Sequence, residues 1–175
     1  MELNILDWFQ TLHTPILDKI MTSITKLGDA GIFWIILTLL FLIIPKMRKT
    51  GIIMAAALIM DLLICNVAVK NLVARTRPYD VNTSVQLLVA KLHDYSFPSG
   101  HTASAFALAT SLCIKYPKWY VIAPSALWAC SVGVSRMNEG VHYPSDVLAG
   151  AAIGAGCAIV NIYVNRWLNQ WLFGK

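Results

Sequence analysis

Residues 51–70 read GIIMAAALIMDLLICNVAVK, a run from Gly51 to Val69 that carries one charged residue, Asp61, and stops at Lys70. As a helix rising 1.5 Å per residue it is about 29 Å long. That length matches the roughly 30 Å of hydrocarbon in a bilayer. The pattern repeats on either side. Gly31 to Ile44 is free of charge and closes on Pro45, Lys46, Arg48 and Lys49, a basic turn at a membrane surface. Downstream, Ser99 to Ile114 ends in Lys115-Tyr116-Pro117-Lys118, a further stretch runs from Trp119 to about Val134, and a last one from Pro144 to Tyr163. Pro144 suits a first helical position, where the missing N–H is no loss.

Composition agrees with the spans. The chain has 175 residues, 57% of them hydrophobic and 13% charged, which lies outside the range of soluble globular domains. The expected fold is all-α, an integral membrane bundle of about six helices: five spans plus an amino-terminal segment. Residues 1–28 mix apolar positions with Asp7, Asp18, Lys19 and Lys26, as helices lying at the interface do, and Pro15 to Leu27 is either such a helix or a short tilted crossing. One domain, residues 1–175, is expected, with 1–28 as an amphipathic segment and 29–175 as the helical core. Met1-Glu2-Leu3-Asn4 lacks the basic start of a signal peptide, so the amino terminus is expected to be retained.

Cys65, Cys113, Cys130 and Cys157 fall inside the spans without metal-ligand spacing and read as small buried hydrophobes. Gly150 and Gly154, four apart among alanines, form a face that lets another helix approach closely. Trp119, Tyr120, Trp167 and Trp171 fit an interfacial aromatic belt. The net charge of +5 sits in short loops, so anionic headgroups are the expected partners and nucleic acid is not. The sequence assigns no oligomeric state.

Three polar stretches interrupt the apolar chain: Lys70 with Arg77-Pro78, then Pro98-Ser99-Gly100-His101, then Ser135-Arg136 with His142 and Asp146. The spans bring all three (70–78, 98–101 and 135–146) to one membrane face. Lysine and arginine divide seven to each face. Four on the motif face, Lys70, Arg75, Arg77 and Arg136, have an anion-binding reason to be there. Setting them aside leaves the opposite face more basic, which places the motifs outside the cytoplasm.

Each motif has a physical reading. Lys70 and Arg77 stand seven apart, close to two helical turns, so they share a stripe about 10 Å long and can converge on an anion. Arg75 points off that stripe and reads as a residue snorkelling to headgroups. Pro98 to His101 marks the start of a helix, where unpaired amides and the positive end of the dipole favour a phosphate. Gly100 permits close approach, Ser99 offers a hydroxyl or an N-cap, and His101 is placed to give a proton to a departing oxygen. His142 and Asp146, four apart, allow the carboxylate to fix one imidazole nitrogen and leave the other as a nucleophile. Arg136 can fold back onto a phosphoryl group.

Together the motifs resemble the signature of the type 2 phosphatidic acid phosphatase superfamily: lysine, six residues, arginine-proline; proline-serine-glycine-histidine; serine-arginine, five residues, histidine, three residues, aspartate. All three parts match without a substitution or a spacing error. The resemblance implies a six-helix core in which His142 forms a phosphohistidine, Asp146 orients it, and His101 protonates the leaving group and later activates water. It implies that Lys70, Arg77, Ser99, Gly100 and Arg136 hold the phosphate oxygens. No metal or other cofactor is expected, since basic side chains already supply positive charge.

Away from the signature, Asp61 and Asn66 lie inside a span, where polar groups face the bundle interior, and Asp61 reads as structural. His93, Asp94 and Glu139, in loops on the motif face, either shape headgroup choice or form a solvated surface. The expected function is hydrolysis of the terminal phosphate of a lipid mono- or diphosphate, with undecaprenyl diphosphate as the leading substrate. Phosphatidylglycerol phosphate, phosphatidic acid and lipid A are the competitors. The setting is a bacterial cytoplasmic membrane with the site on the external side. A lipid phosphotransferase, a vanadate-dependent haloperoxidase and a non-catalytic lipid binder are the other classes considered. Label transfer to an acceptor, halide oxidation, and binding without turnover would respectively distinguish them.

Overall fold

The computed structural model describes residues 1–28 and 31–173; the boundary drawn between residues 28 and 29, and the terminal Lys175, lie outside them. Among the described residues the regular secondary structure is all helical. Two short helices, α1 (Glu2–Thr11) and α2 (Pro15–Gly28), precede α3 (Ile32–Ile43) and α4 (Arg48–Asp61). α4 continues without a break through a π-helical segment, Leu62–Val69, into α5 (Lys70–Val73). After α6 (Pro78–Val81) come α7 (Gly100–Lys115), α8 (Trp119–Asn138) and α9 (Pro144–Phe173). Pro15, Pro78 and Pro144 each open a helix, where a fixed φ and a missing donor cost nothing.

α7 is the axis of the bundle and packs against α9, α8 and α4. Its sequence shows why it suits the centre: Ala103, Ala105, Ala107, Ala109 and Ser111 are all buried, and small side chains let three helices approach at once. Trp34, Met54, Leu108 and Val132 fill the remaining space around it. The exterior is the reverse of a soluble protein. Ile36, Leu39, Leu63, Leu127 and Leu148 are exposed, an apolar outer surface suited to lipid.

By length and composition two stretches can cross a bilayer, Arg48–Val81 and Pro144–Leu168, or three if the bent pair α2 and α3 forms one broken span. Five were expected. The difference falls on helices such as α7, which has 16 residues and is enclosed by neighbours, so its composition answers to packing and not to lipid. The cysteine reading needs a similar correction. Cys65 and Cys157 are buried, Cys113 is half-buried, and Cys130 is exposed on the outer face of α8.

The glycine pair performs as its spacing suggests. A Cβ on Gly150 would lie 2.5 Å from the Ser99 carbonyl oxygen, and one on Gly154 would lie 2.0 Å from that of Ala103. α7 and α9 both begin at the same end of the bundle and run side by side from it. The Ser99 N–H donates to the Asp146 carbonyl at 3.0 Å, which fixes the start of one helix against the start of the other. At the far end, the Thr50 hydroxyl meets the Tyr116 hydroxyl at 2.9 Å. Trp119, Tyr120, Trp167 and Trp171 are exposed.

Candidate active site

The polar motifs meet at the end of the bundle where α7 and α9 begin. Lys70, Arg77, Gly100, His101 and His142 line one cavity of about 310 Å³, together with Asp94. The cavity continues along an apolar flank of Ile35, Leu58 and Leu62. Its wall between these parts includes Asp61 and Asn66. Asp61 is 2% exposed, and its Oδ1 has no hydrogen-bond partner. Gly100 packs against Asn66: a Cβ there would stand 2.5 Å from the Asn66 Oδ1, and the amide would have to shift.

Lys70 and Arg77 do not lie on a common helical stripe. α5 ends at Val73, Ala74 turns left-handed at φ 48° and ψ 41°, and Arg77 is extended ahead of Pro78. The left-handed turn costs an alanine about 1–2 kcal/mol, and it folds the chain so that both cations reach one point. What they reach is Asp94. Its Oδ2 accepts from the Lys70 Nζ at 2.5 Å, and its Oδ1 from the Arg77 Nη2 at 2.6 Å. Partial burial opposes ionisation, yet hydrogen bonds and charge from Lys70 and Arg77 bring the Asp94 carboxyl down to about 2. Arg77 is further held by carbonyls: Nε donates to Asp94 O at 2.9 Å, Nη1 to Val141 O at 2.8 Å and Nη2 to Tyr95 O at 3.2 Å.

His142 is 1% exposed. Its Nδ1 stands 3.5 Å from the Asp146 Oδ2, a charge contact that is long for a hydrogen bond. Its Nε2 lies 3.5 Å from the Arg77 Nη1. A guanidinium can only donate, so the geometry favours the tautomer with its proton on Nδ1, toward Asp146, and a lone pair on Nε2, toward the cavity. Burial first, then the nearby Arg136 and Arg77 charges, push the imidazole down to about 3, against the opposing pull of Asp146. It is therefore neutral at physiological pH, the state a nucleophile requires.

Asp146 is fully buried, and its carboxylate takes three donors. Its Oδ2 accepts from the Ser96 hydroxyl at 2.5 Å and the Tyr143 N–H at 2.9 Å. Its Oδ1 accepts from the Arg75 Nη1 at 2.7 Å. Arg75 was expected to snorkel to headgroups, and the structure corrects this. Its guanidinium also donates to the Ser145 hydroxyl and the Glu2 Oε2, each at 2.6 Å, and stacks 3.8 Å from the centre of the Tyr143 ring. Glu2 in turn accepts from the Ser145 N–H at 3.0 Å. Burial works to raise the Glu2 carboxyl, but the bonds from Ser145 and Arg75 hold it below its usual range. The amino-terminal helix is thus latched onto the catalytic end.

Ser99 and Arg136 stand behind the cavity wall. The Ser99 hydroxyl meets that of Thr102 at 2.9 Å. Arg136 is buried, and its Nη1 donates to the Glu139 Oε2 at 2.9 Å. Glu139 is 0% exposed, so the solvated alternative is corrected for this residue, whereas Asp94 is exposed and pairs with both cations. His93 is exposed. Among the described residues no group of three or more His, Cys, Asp or Glu could hold a metal ion.

Glu2 and Ser96 were not singled out from the sequence, and Asp94 and Arg75 were named there without the partners the structure gives them. Asp94 carried a usable signal: it is the one acidic residue between Asp80 and Glu139, a stretch that otherwise supplies a basic motif face. The loop that presents it is folded, with Tyr79, Val85 and Val141 in a small core of their own and the Tyr79 hydroxyl donating to Leu92 O at 2.9 Å.

A cavity holding a lysine, an arginine and two imidazoles, at one end of an all-helical bundle with an apolar outer surface, defines a membrane phosphatase, a hydrolase of phosphate esters. The chain belongs to the PAP2 superfamily, whose model matches residues 50–170. An undecaprenyl-diphosphatase of Sulfolobus acidocaldarius is 32% identical over 148 residues, covering 85% of this chain and 70% of that protein. The crystal structure of Aquifex aeolicus LpxE superposes with a TM-score of 0.83 at 31% identity, over 93% of this chain and 94% of the other. A transmembrane PAP2-type phosphatidylglycerolphosphate phosphatase from Bacillus subtilis gives a TM-score of 0.78 at 27% identity, over 94% of this chain and 84% of the other.

Proposed function

We propose that this chain, acting as one catalytic domain, hydrolyses the terminal phosphate of a membrane lipid, and that its substrate is an isoprenoid diphosphate such as undecaprenyl diphosphate. The observation that carries the reading is the single cavity lined by Lys70, Arg77, His101 and His142, with Asp146 behind the second imidazole. The similarity to an undecaprenyl-diphosphatase supports the choice of lipid. The apolar flank at Ile35, Leu58 and Leu62 supports entry from the bilayer, with the tail remaining in the membrane.

The reaction follows from the groups present. Lys70 and Arg77 hold the non-bridging oxygens, with the amides of the first turn of α7 from Gly100 onward, and with Ser99 and the Arg136 charge behind them. The His142 Nε2 attacks phosphorus. As the bond to the leaving oxygen breaks, His101 gives that oxygen a proton, and Asp146 stabilises the charge that forms on His142. His101 then takes a proton from water, whose oxygen attacks the phosphohistidine. Inorganic phosphate leaves and both imidazoles return to their starting states. The site is proposed to face the outside of a bacterial cytoplasmic membrane, on the distribution of lysine and arginine.

The test is phosphate release from purified undecaprenyl diphosphate, phosphatidylglycerol phosphate, phosphatidic acid and lipid A in detergent, with orthovanadate as inhibitor. The isoprenoid diphosphate is expected to be the best substrate. His142→Ala and Asp146→Ala are expected to abolish release while the protein extracts normally, and full activity in His142→Ala would end the mechanism.

A further inference from the structure

The most exposed polar residue of the cavity wall carries two ion pairs. The Asp94 side chain is 51% exposed, yet its two oxygens take one bond each from Lys70 and Arg77. A carboxylate bridging a lysine and an arginine presents the same pair of acceptors that two phosphate oxygens would present. Asp94 and a phosphoryl group therefore need the same donors. The exposure gives the carboxylate somewhere to go, because rotation about its side chain carries it into water. Arg77 and the loop do not depend on it. Arg77 keeps its bonds to the carbonyls of Asp94, Tyr95 and Val141 when the carboxylate leaves, and the loop keeps its own anchors at Tyr79 and Ser96.

We propose that Asp94 is an affinity-setting residue of the site, a built-in anion that occupies the phosphate donors and must be displaced by every anion that binds there. The proposal rests on the function given above. Its consequence is a uniform penalty. A ligand that binds only when a carboxylate has swung out has an apparent affinity reduced by the fraction of molecules in that state. If that fraction is about one in ten, substrate, product phosphate and orthovanadate all bind about tenfold more weakly than the two cations would allow. Product phosphate is met by a returning competitor inside the protein, which keeps the site from remaining filled after turnover.

The experiment compares wild-type protein with Asp94→Asn, which removes the charge and keeps the shape, and with Asp94→Ser, which removes both. Binding of inorganic phosphate and of orthovanadate to the purified full chain in detergent is measured by calorimetry, and KM and kcat are measured with undecaprenyl diphosphate. Both variants are expected to bind both inorganic anions about tenfold more tightly, with KM falling by the same factor. A residue that merely holds Lys70 and Arg77 in position would give the opposite result, weaker binding and a lower kcat/KM, and that result overturns the proposal. Unequal factors for phosphate and orthovanadate overturn it as well. The calorimetric arm does not need turnover, so wild-type protein that releases no phosphate would defeat the functional reading while the comparison of affinities still decides the role of Asp94.

Discussion

Gly154→Ala adds one carbon atom at the closest approach of two helices. The new Cβ would lie 2.0 Å from the Ala103 carbonyl oxygen, 2.8 Å from its carbon and 3.0 Å from its Cα, all backbone atoms. Ordinary contact begins at 3.4 Å, so the pair is about 1.4 Å too close, and no side chain can rotate away to relieve it. α7 and α9 must move apart. Overpacking of this kind costs about 1–3 kcal/mol. The larger effect is expected in catalysis, because the contact sits below the catalytic end. Asp146, Gly150 and Gly154 face Ser99 and Ala103 in turn along the α7–α9 seam, and His142 and His101 stand at its head on opposite sides. A displacement near 1 Å between reacting groups costs on the order of 100-fold in rate. Gly156→Ala is the control: on the same helix, a Cβ there meets nothing within 4 Å. Phosphate release and thermal unfolding of both variants in detergent decide the matter. Gly154→Ala is expected to fall about 100-fold in kcat/KM and to unfold at a lower temperature, while Gly156→Ala matches or exceeds wild type in stability. If the two variants behave alike, the helix seam does not set the distance between the catalytic halves.

Arg75→Gln removes the cation that holds Asp146 Oδ1, a charge-assisted bond of about 1.5–3 kcal/mol. Expressed fully in the transition state, that is about a 10- to 150-fold loss in kcat/KM; steady-state kinetics retaining more than half of wild-type activity would remove Arg75 from catalytic support. Acid should weaken the fold through His142. Its pKa is about 3 when buried against about 6.5 when unfolded, so the unfolded chain binds the extra proton first and stability falls as pH drops from 6.5 toward 3. The slope approaches about 1.4 kcal/mol per pH unit. Unfolding temperatures at pH 7, 5.5 and 4.5 should fall less steeply in His142→Gln than in wild type, and parallel declines would contradict the assignment. Asp94, lowered to about 2, adds its own loss below the usual carboxylate range, as pH falls from about 4 toward 2.

The helical membrane class and the candidate site residues are legible in the sequence, because each depends on residues close together in the chain. Apolar runs of span length need no tertiary context, and His142 with Asp146 four residues on is a local relation that the fold preserves. The role of Gly154 was also visible as a small-residue spacing. Three things depended on the fold. The end of α5 at Val73 and the left-handed Ala74 bring Lys70 and Arg77 to a common point by a turn, where helical extrapolation past Val73 places them on a stripe. Arg75 became a clamp on Asp146 because Glu2, at the other end of the numbering, and Tyr143 close around it. Asp94 entered the cavity because a loop with its own small core presents it there. Each of these is a meeting of groups far apart along the chain. The sequence determined which chemistry the chain carries; the tertiary structure decided which charges neutralise one another, since a charge buried beside a bilayer must find its partner wherever the packing brings one.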